Sequence, residues 1–300
     1  VGAELLRALA ALAEPPSDAT PRLVRALRLG AVPDSAAYSD VFLFQLYPYA
    51  SVHVGAEGMM GGEAQARVAG FWRALGQRAP AEPDHLSALL ALYASLLEGG
   101  QGPSDARAVL IRESRGALLS EHLAPWVFHF LWRIEEVAPD TYAEWAGLLS
   151  EALRSEVDAL SSHGGSRPLA SHLREAPALP DPRARGAAPF LSGLLAPVRS
   201  GMILTRADLA RIAGDLGLGL RAGERRYALE HLLAQAPEPV LFALAAEARR
   251  QGAAHEARAP WLETSAMFHA ARARACAGLL EALASEHMDA LEQAAANASS

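Results

Sequence analysis

The residues able to do chemistry are scattered, and few stand at a productive spacing. His255-Glu256 begins a zinc-protease pattern, but Ala259 stands where the second histidine is required. A phosphate-binding loop ending in Gly-Lys-Ser/Thr is excluded outright, because the chain has no lysine. No Gly-x-Ser-x-Gly element marks a serine nucleophile. Gly217-Leu-Gly219-Leu-Arg221-Ala222 fits a loose dinucleotide fingerprint, yet it follows a helical segment instead of a strand and reads as a turn between helices. His122 and His129 lack a tight ligand spacing on one helix. Cys276, alone in an alanine-rich stretch, reads as a small buried side chain. No catalytic centre, metal site or resident cofactor is expected.

The elements that would position any site are helical. Apolar residues make up 51% of the 300 residues, Ala and Leu dominate, and β-branched residues are sparse, which favours helix over strand. After Asp84, which can serve as an N-cap, Leu86, Leu89, Leu90, Tyr93, Leu96 and Leu97 keep the i, i+3, i+4, i+7 rhythm until Gly99-Gly100 stops it. A second stripe runs from Leu123 to Val137 with Pro125 in its first turn, and a third joins Tyr142, Trp145, Leu148, Leu149 and Leu153. Thr205-x-x-Asp208 resembles a capping box before Leu209, Ile212 and Leu216. Val240–Arg250 and Trp261–Ala284 read as two more helices, and the tail from Ala294 reads as frayed. Val1–Ala13 reads as an amphipathic helix and not as a signal peptide, which points to a cytoplasmic protein.

The periodicity lapses between Ser161 and Pro189, where Gly164-Gly165 and five prolines interrupt it, apart from a short helix expected near Leu169–Arg174. The expected organisation is an all-α chain: a helical domain over 1–160, a Pro/Gly-rich linker over 161–189 and a smaller helical module over 190–300. Mean hydropathy is +0.09, and no apolar run is long enough for a membrane span. All 27 basic residues are arginine, and with 34 acidic residues the net charge is −7, which speaks against a general nucleic-acid binder. The charge is uneven: residues 1–165 carry 12 Arg and 20 Asp+Glu, a balance of −8, whereas residues 199–226 carry six arginines against three carboxylates. The N-terminal half therefore favours a basic ligand.

Residues 38–86 carry an ordered set of short motifs. Tyr38-x-x-Val41-Phe42 is followed by Pro48-Tyr49-Ala50-Ser51, then by Phe71-Trp72, then by Glu82-Pro83-Asp84-His85 leading into a helix. This set resembles the TorD/DmsD family of molybdoenzyme maturation chaperones. Val41 stands where the family usually has leucine, and the loop lacks one residue between Pro83 and Asp84. The resemblance implies an all-α binding protein without turnover. Its partners would be the apo catalytic subunit of a molybdopterin-dependent oxidoreductase and that subunit's twin-arginine leader. It also implies a client site drawn from Tyr38, Phe42, Pro48, Tyr49, Ser51, Trp72, Glu82, Asp84 and His85. An arginine-bearing leader calls for an acidic, partly apolar groove. Asp84 and His85 are the candidate polar contacts, while Trp72 reads as core. The chaperone would act as a monomer or homodimer, with no cofactor of its own, and the C-terminal module would assist the same client. An unrelated all-α adaptor binding an amphipathic peptide is the alternative.

Overall fold

The computed structural model describes all residues except 101–105, 139, 162–167, 222 and 299–300. Among the described residues the regular elements are sixteen α-helices and two π-helical segments, and the only β pairing is an isolated bridge between Tyr49 and His85. The all-α expectation therefore holds. Among the described residues no helix is long and apolar enough to cross a membrane. The chain forms two compact units. Unit 1 comprises 1–55, 59–175 and 259–265; unit 2 comprises 56–58, 176–258 and 266–300. The glycine pair Gly164-Gly165 of the expected linker and Ala222 of the glycine-rich turn lie outside the described residues.

Unit 1 contains α1 (Ala3–Ala11), α2 (Thr20–Ala26), α3 (Ser35–Tyr38), α4 (Ala50–Val54), α5 (Gly62–Ala74), α6 (Leu86–Gly99), α7 (Ala106–Ala117), α8 (Val127–Val137), α9 (Asp140–Ser161) and α10 (Ser171–Glu175). Its centre is the Leu-rich α6, on which α1 and α7 pack, with α8 against α9. Phe42 sits in an aromatic nest, 5.0 Å from the Tyr142 ring centre and 5.7 Å from that of Trp145. The indole of Trp145 donates to the Leu9 carbonyl at 2.9 Å, so a fully enclosed polar atom is satisfied. Two stretches widen into π turns, Ser39–Gln45 and Leu118–Leu123, closed by Leu46 N–H to the Val41 carbonyl at 2.8 Å and Ala124 N–H to that of Leu119 at 2.7 Å. A π turn acts as one extra residue in a helix and shifts the face that follows. The stripe read from Leu123 to Val137 is consequently broken: Pro125 lies between the π turn and α8, not inside the first turn of a helix.

Unit 2 contains α11 (Pro182–Arg185), α12 (Ala187–Leu194), α13 (Pro197–Ser200), α14 (Arg206–Asp215) and α15 (Arg225–Gln235), together with most of α16 (Pro237–Ala298). Phe190, Leu194, Leu209, Ile212, Leu229, Leu232, Leu244 and Leu280 form its core. Cys276 lies inside it, its thiol pushed up to about 12 by burial, as expected of an inert packing residue. The capping box is present: Asp208 N–H donates to Thr205 Oγ1 at 3.1 Å and Thr205 N–H to Asp208 Oδ2 at 2.7 Å. Gly217 ends α14 at positive φ, so the glycine-rich stretch is a helix–helix connection. The two helices read over 240–284 are present, but they meet later than read, at Glu263, whose φ of 47 and ψ of −117 are not helical and which stands three residues after Pro260. The tail expected to fray from Ala294 continues as helix to Ala298, because alanine is the strongest helix former.

A side-chain ladder on α16 holds the extended stretch 201–204 of unit 2. Gln251 accepts from Ile203 N–H at 2.8 Å and donates to the Ile203 carbonyl at 3.0 Å, as a neighbouring strand would. One turn further on, His255 Nε2 donates to the Gly201 carbonyl at 3.1 Å. Glu247, one turn before, accepts from Gln251, Arg211 and Arg250.

Candidate functional site

The Pro48–Ser51 and Glu82–Leu86 segments lie side by side in unit 1 and are closed by their main chains. Ala50 N–H donates to the Asp84 carbonyl at 3.0 Å, and Leu86 N–H to the Pro48 carbonyl at 2.8 Å. Proline at 48 needs no donor there, since only its carbonyl is used. The Tyr49 and His85 rings meet edge to face at 4.8 Å, and the Tyr49 hydroxyl donates to Glu82 Oε2 at 2.9 Å. Six of the nine expected residues thus converge: Pro48, Tyr49, Ser51, Glu82, Asp84 and His85.

Asp84 is completely enclosed. Its Oδ2 accepts from Ser51 N–H at 3.0 Å and its Oδ1 from Gln65 Nε2 at 3.3 Å. This corrects its reading as an N-cap. The cap of α6 is His85, whose Nδ1 accepts from Ser87 N–H at 3.2 Å. Aspartate is the better cap by type, but here its carboxylate is drawn across to the first turn of α4, where it ties the two segments together from inside. Ser51 also uses its hydroxyl, accepting from Gly61 N–H at 3.1 Å, and so anchors the start of α5.

His85 is buried beside three carboxylates. Burial lowers its proton affinity, against the opposing pull of Glu14, Glu82 and Asp84. The Ser87 hydroxyl stands 2.6 Å from Nδ1 and bonds to Glu14. Tyr49 has its phenol pushed up first by burial and then by Glu82. These tyrosine, glutamate and histidine side chains form the edge of the site: Glu82 is exposed and Tyr49 half-buried.

Trp72 is not core. It is half-buried on α5 and its indole donates to the Pro83 carbonyl at 3.3 Å, so it borders the loop that carries Glu82 and Asp84. Tyr38 and Phe42 lie below. Phe42 is in the aromatic nest, and the Tyr38 ring packs 5.2 Å from it, while burial together with Glu14 and Glu82 pushes the Tyr38 phenol up to about 12. Sequence reading missed Glu14, Gln65 and Ser87. Ser87 could have been found as the donor two residues after a histidine cap; Glu14 and Gln65 arrive from α1's end and α5 with no local pattern. Met59 and Met60, 69% and 53% exposed, directly precede the anchored Gly61 and add apolar surface. The arrangement presents carboxylate, phenol and imidazole N–H beside thioethers. It offers hydrogen bonds and charge to a polypeptide.

No curated protein matches the chain. A family model described as nitrate reductase delta subunit matches residues 9–131, a stretch that contains every residue of this site and lies, apart from 56–58, within unit 1.

Proposed function

With residues 9–131 matching the nitrate reductase delta subunit family, which is of the NarJ/TorD chaperone type, we propose that the chain is a maturation chaperone that binds the apo catalytic subunit of a molybdopterin-dependent oxidoreductase and its arginine-bearing leader. The observation that carries this reading is the closure of Pro48–Ser51 against Glu82–Leu86, which leaves Glu82 exposed at the rim with Tyr49 donating to it. Glu82 meets a leader arginine there, and the His85 ring and Tyr49 supply orientation. Asp84 acts from below as the residue that holds the rim in shape, since its carboxylate is enclosed. Met59 and Met60 take apolar leader residues, for which flexible thioethers are suited. Trp72 forms a wall, and Tyr38 and Phe42 form the floor.

Titration of a fluorescent twin-arginine leader peptide tests the reading. Glu82→Gln weakens binding about three- to tenfold, an effect that shrinks at high salt. Asp84→Asn weakens it to a similar degree through the rim, and His85→Gln does so less. Glu98→Gln, at the far end of α6 and ion-paired to Arg7, leaves affinity unchanged. Wild-type affinity in both Glu82→Gln and Asp84→Asn, with helicity intact, would sink the site.

A further inference from the structure

Among the described residues, unit 2 contains two guanidinium groups poorly matched by counter-charge, Arg199 and Arg272. Arg199 lies on α13, and two residues on, Gly201 takes φ +73 directly against α16. A Cβ at Gly201 would stand 2.2 Å from Ala273 N and 2.5 Å from the His269 carbonyl oxygen. This backbone approach sets α13 beside the turn of α16 that carries Arg272. Arg272 lies 5.0 Å over the Phe268 ring and donates to the Ala176 carbonyl at 2.7 Å. Among the described residues it has no carboxylate partner. Arg199 is little better matched: its Nε is buried without an acceptor, and among the described residues its one carboxylate neighbour is Glu57, 4.0 Å away and 80% exposed. Burial, and next the charge of Arg199, lower the proton affinity of Arg272, so the two cations feel each other.

Like charges brought together, one of them with a buried donor unfilled, are costly unless an anion shares them. A guanidinium presents a planar fork that fits phosphate oxygens two at a time. Two such forks suit a dianion; a single carboxylate would leave one cation unneutralised. We propose that Arg199 and Arg272 form a binding site in unit 2 for the phosphate group of a small ligand, with Glu57 as the weak internal counter-ion that gives way on binding. The proposal is independent of the peptide site, which assigns nothing to unit 2.

Calorimetric titration of the full chain with inorganic phosphate and with pyrophosphate tests it, with acetate at matched ionic strength as the control. Both phosphates bind, pyrophosphate the tighter, and acetate does not. Arg199→Gln weakens pyrophosphate at least about tenfold, Arg199→Lys recovers part of the loss, and Glu57→Gln tightens binding about twofold or more by removing the competitor. Absence of phosphate and pyrophosphate binding, equal binding of acetate, or unchanged affinity in a folded Arg199→Gln overturns the proposal. If Arg199→Gln fails to fold, Glu57→Gln decides, and an affinity equal to wild type overturns it.

Discussion

At the scale of single residues, His122 and His172 make unit 1 acid-sensitive. Their ring centres are 6.0 Å apart; Phe71 lies against His122, and Arg67, Glu121 and Glu175 are the charged groups around the pair. Burial, aided by neighbouring positive charge, lowers each from 6.5 to about 4. Both are neutral in the folded state, whereas the unfolded chain takes up their protons first as pH falls. Stability is therefore complete above about 6.5 and is lost from there down to about 4. The urea midpoint should fall steeply across that window, and His122→Phe should flatten the decline. A midpoint that declines equally in wild type and variant contradicts the assignment. Asp84 bears on stability through its hydrogen bonds. Asp84→Ala leaves Ser51 N–H and Gln65 unmatched and should cost about 3 kcal/mol, while Asp84→Asn, which keeps one acceptor, should cost about 1 kcal/mol. Chemical denaturation reads both.

The candidate site was legible in sequence where its residues are contiguous. Pro48–Ser51 and Glu82–His85 each stand out as short motifs, and the structure brings them together. What sequence could not supply is which atom of Asp84 is used and for what, because capping and cross-linking both favour the same carboxylate. Trp72 was misplaced for a related reason: an indole fits a helical apolar stripe whether it faces a core or a neighbouring loop carbonyl.

At the scale of elements, helices were legible and their interruptions were not. Apolar rhythm identified α6, α8 and α9, but a π turn leaves composition unchanged and only displaces the phase. In α16 the break read between Arg250 and Trp261 falls later, at Glu263, because the residues from 251 onward extend the first helix past Pro260. The ladder from α16 to the stretch 201–204 was likewise invisible, since it pairs a helix side chain with an extended backbone. Gln251→Leu strips the partners from both the N–H and the carbonyl of Ile203, which is 2% exposed. A loss of about 3 kcal/mol is expected, seen as a fall of about 5–10 °C in the thermal midpoint followed by circular dichroism. A variant melting with wild type shows that the ladder contributes nothing.

At the scale of the molecule, the lapse of periodicity in the Pro/Gly-rich stretch pointed to two bodies. The two units divide the chain between Glu175 and Ala176, and unit 1 also takes in 259–265, where Trp261 meets Phe128 at 4.7 Å and stacks beneath Arg154 at 5.3 Å. A late segment that serves an early unit leaves no trace in composition. The arginine excess read over 199–226 is partly spent inside unit 2: Arg211 pairs with Glu247, Arg226 with Glu230, and Arg225 donates to the Leu204 carbonyl. The surplus that remains useful to a ligand is Arg199.

The closure of Pro48–Ser51 on Glu82–Leu86 also sets a clock. Most hydrogen bonds in an all-helical chain span four residues and form in well under a millisecond, but this one joins positions more than thirty apart and waits for the chain to close a loop. An interaction made after the folding barrier leaves the forward rate alone and governs the reverse one. Asp84→Asn should therefore steepen the loss of native protein, with faster unfolding in stopped-flow denaturant jumps and a refolding arm that overlays the wild type. The residue that holds the rim is then also what determines how long the chain, once folded, keeps its rim.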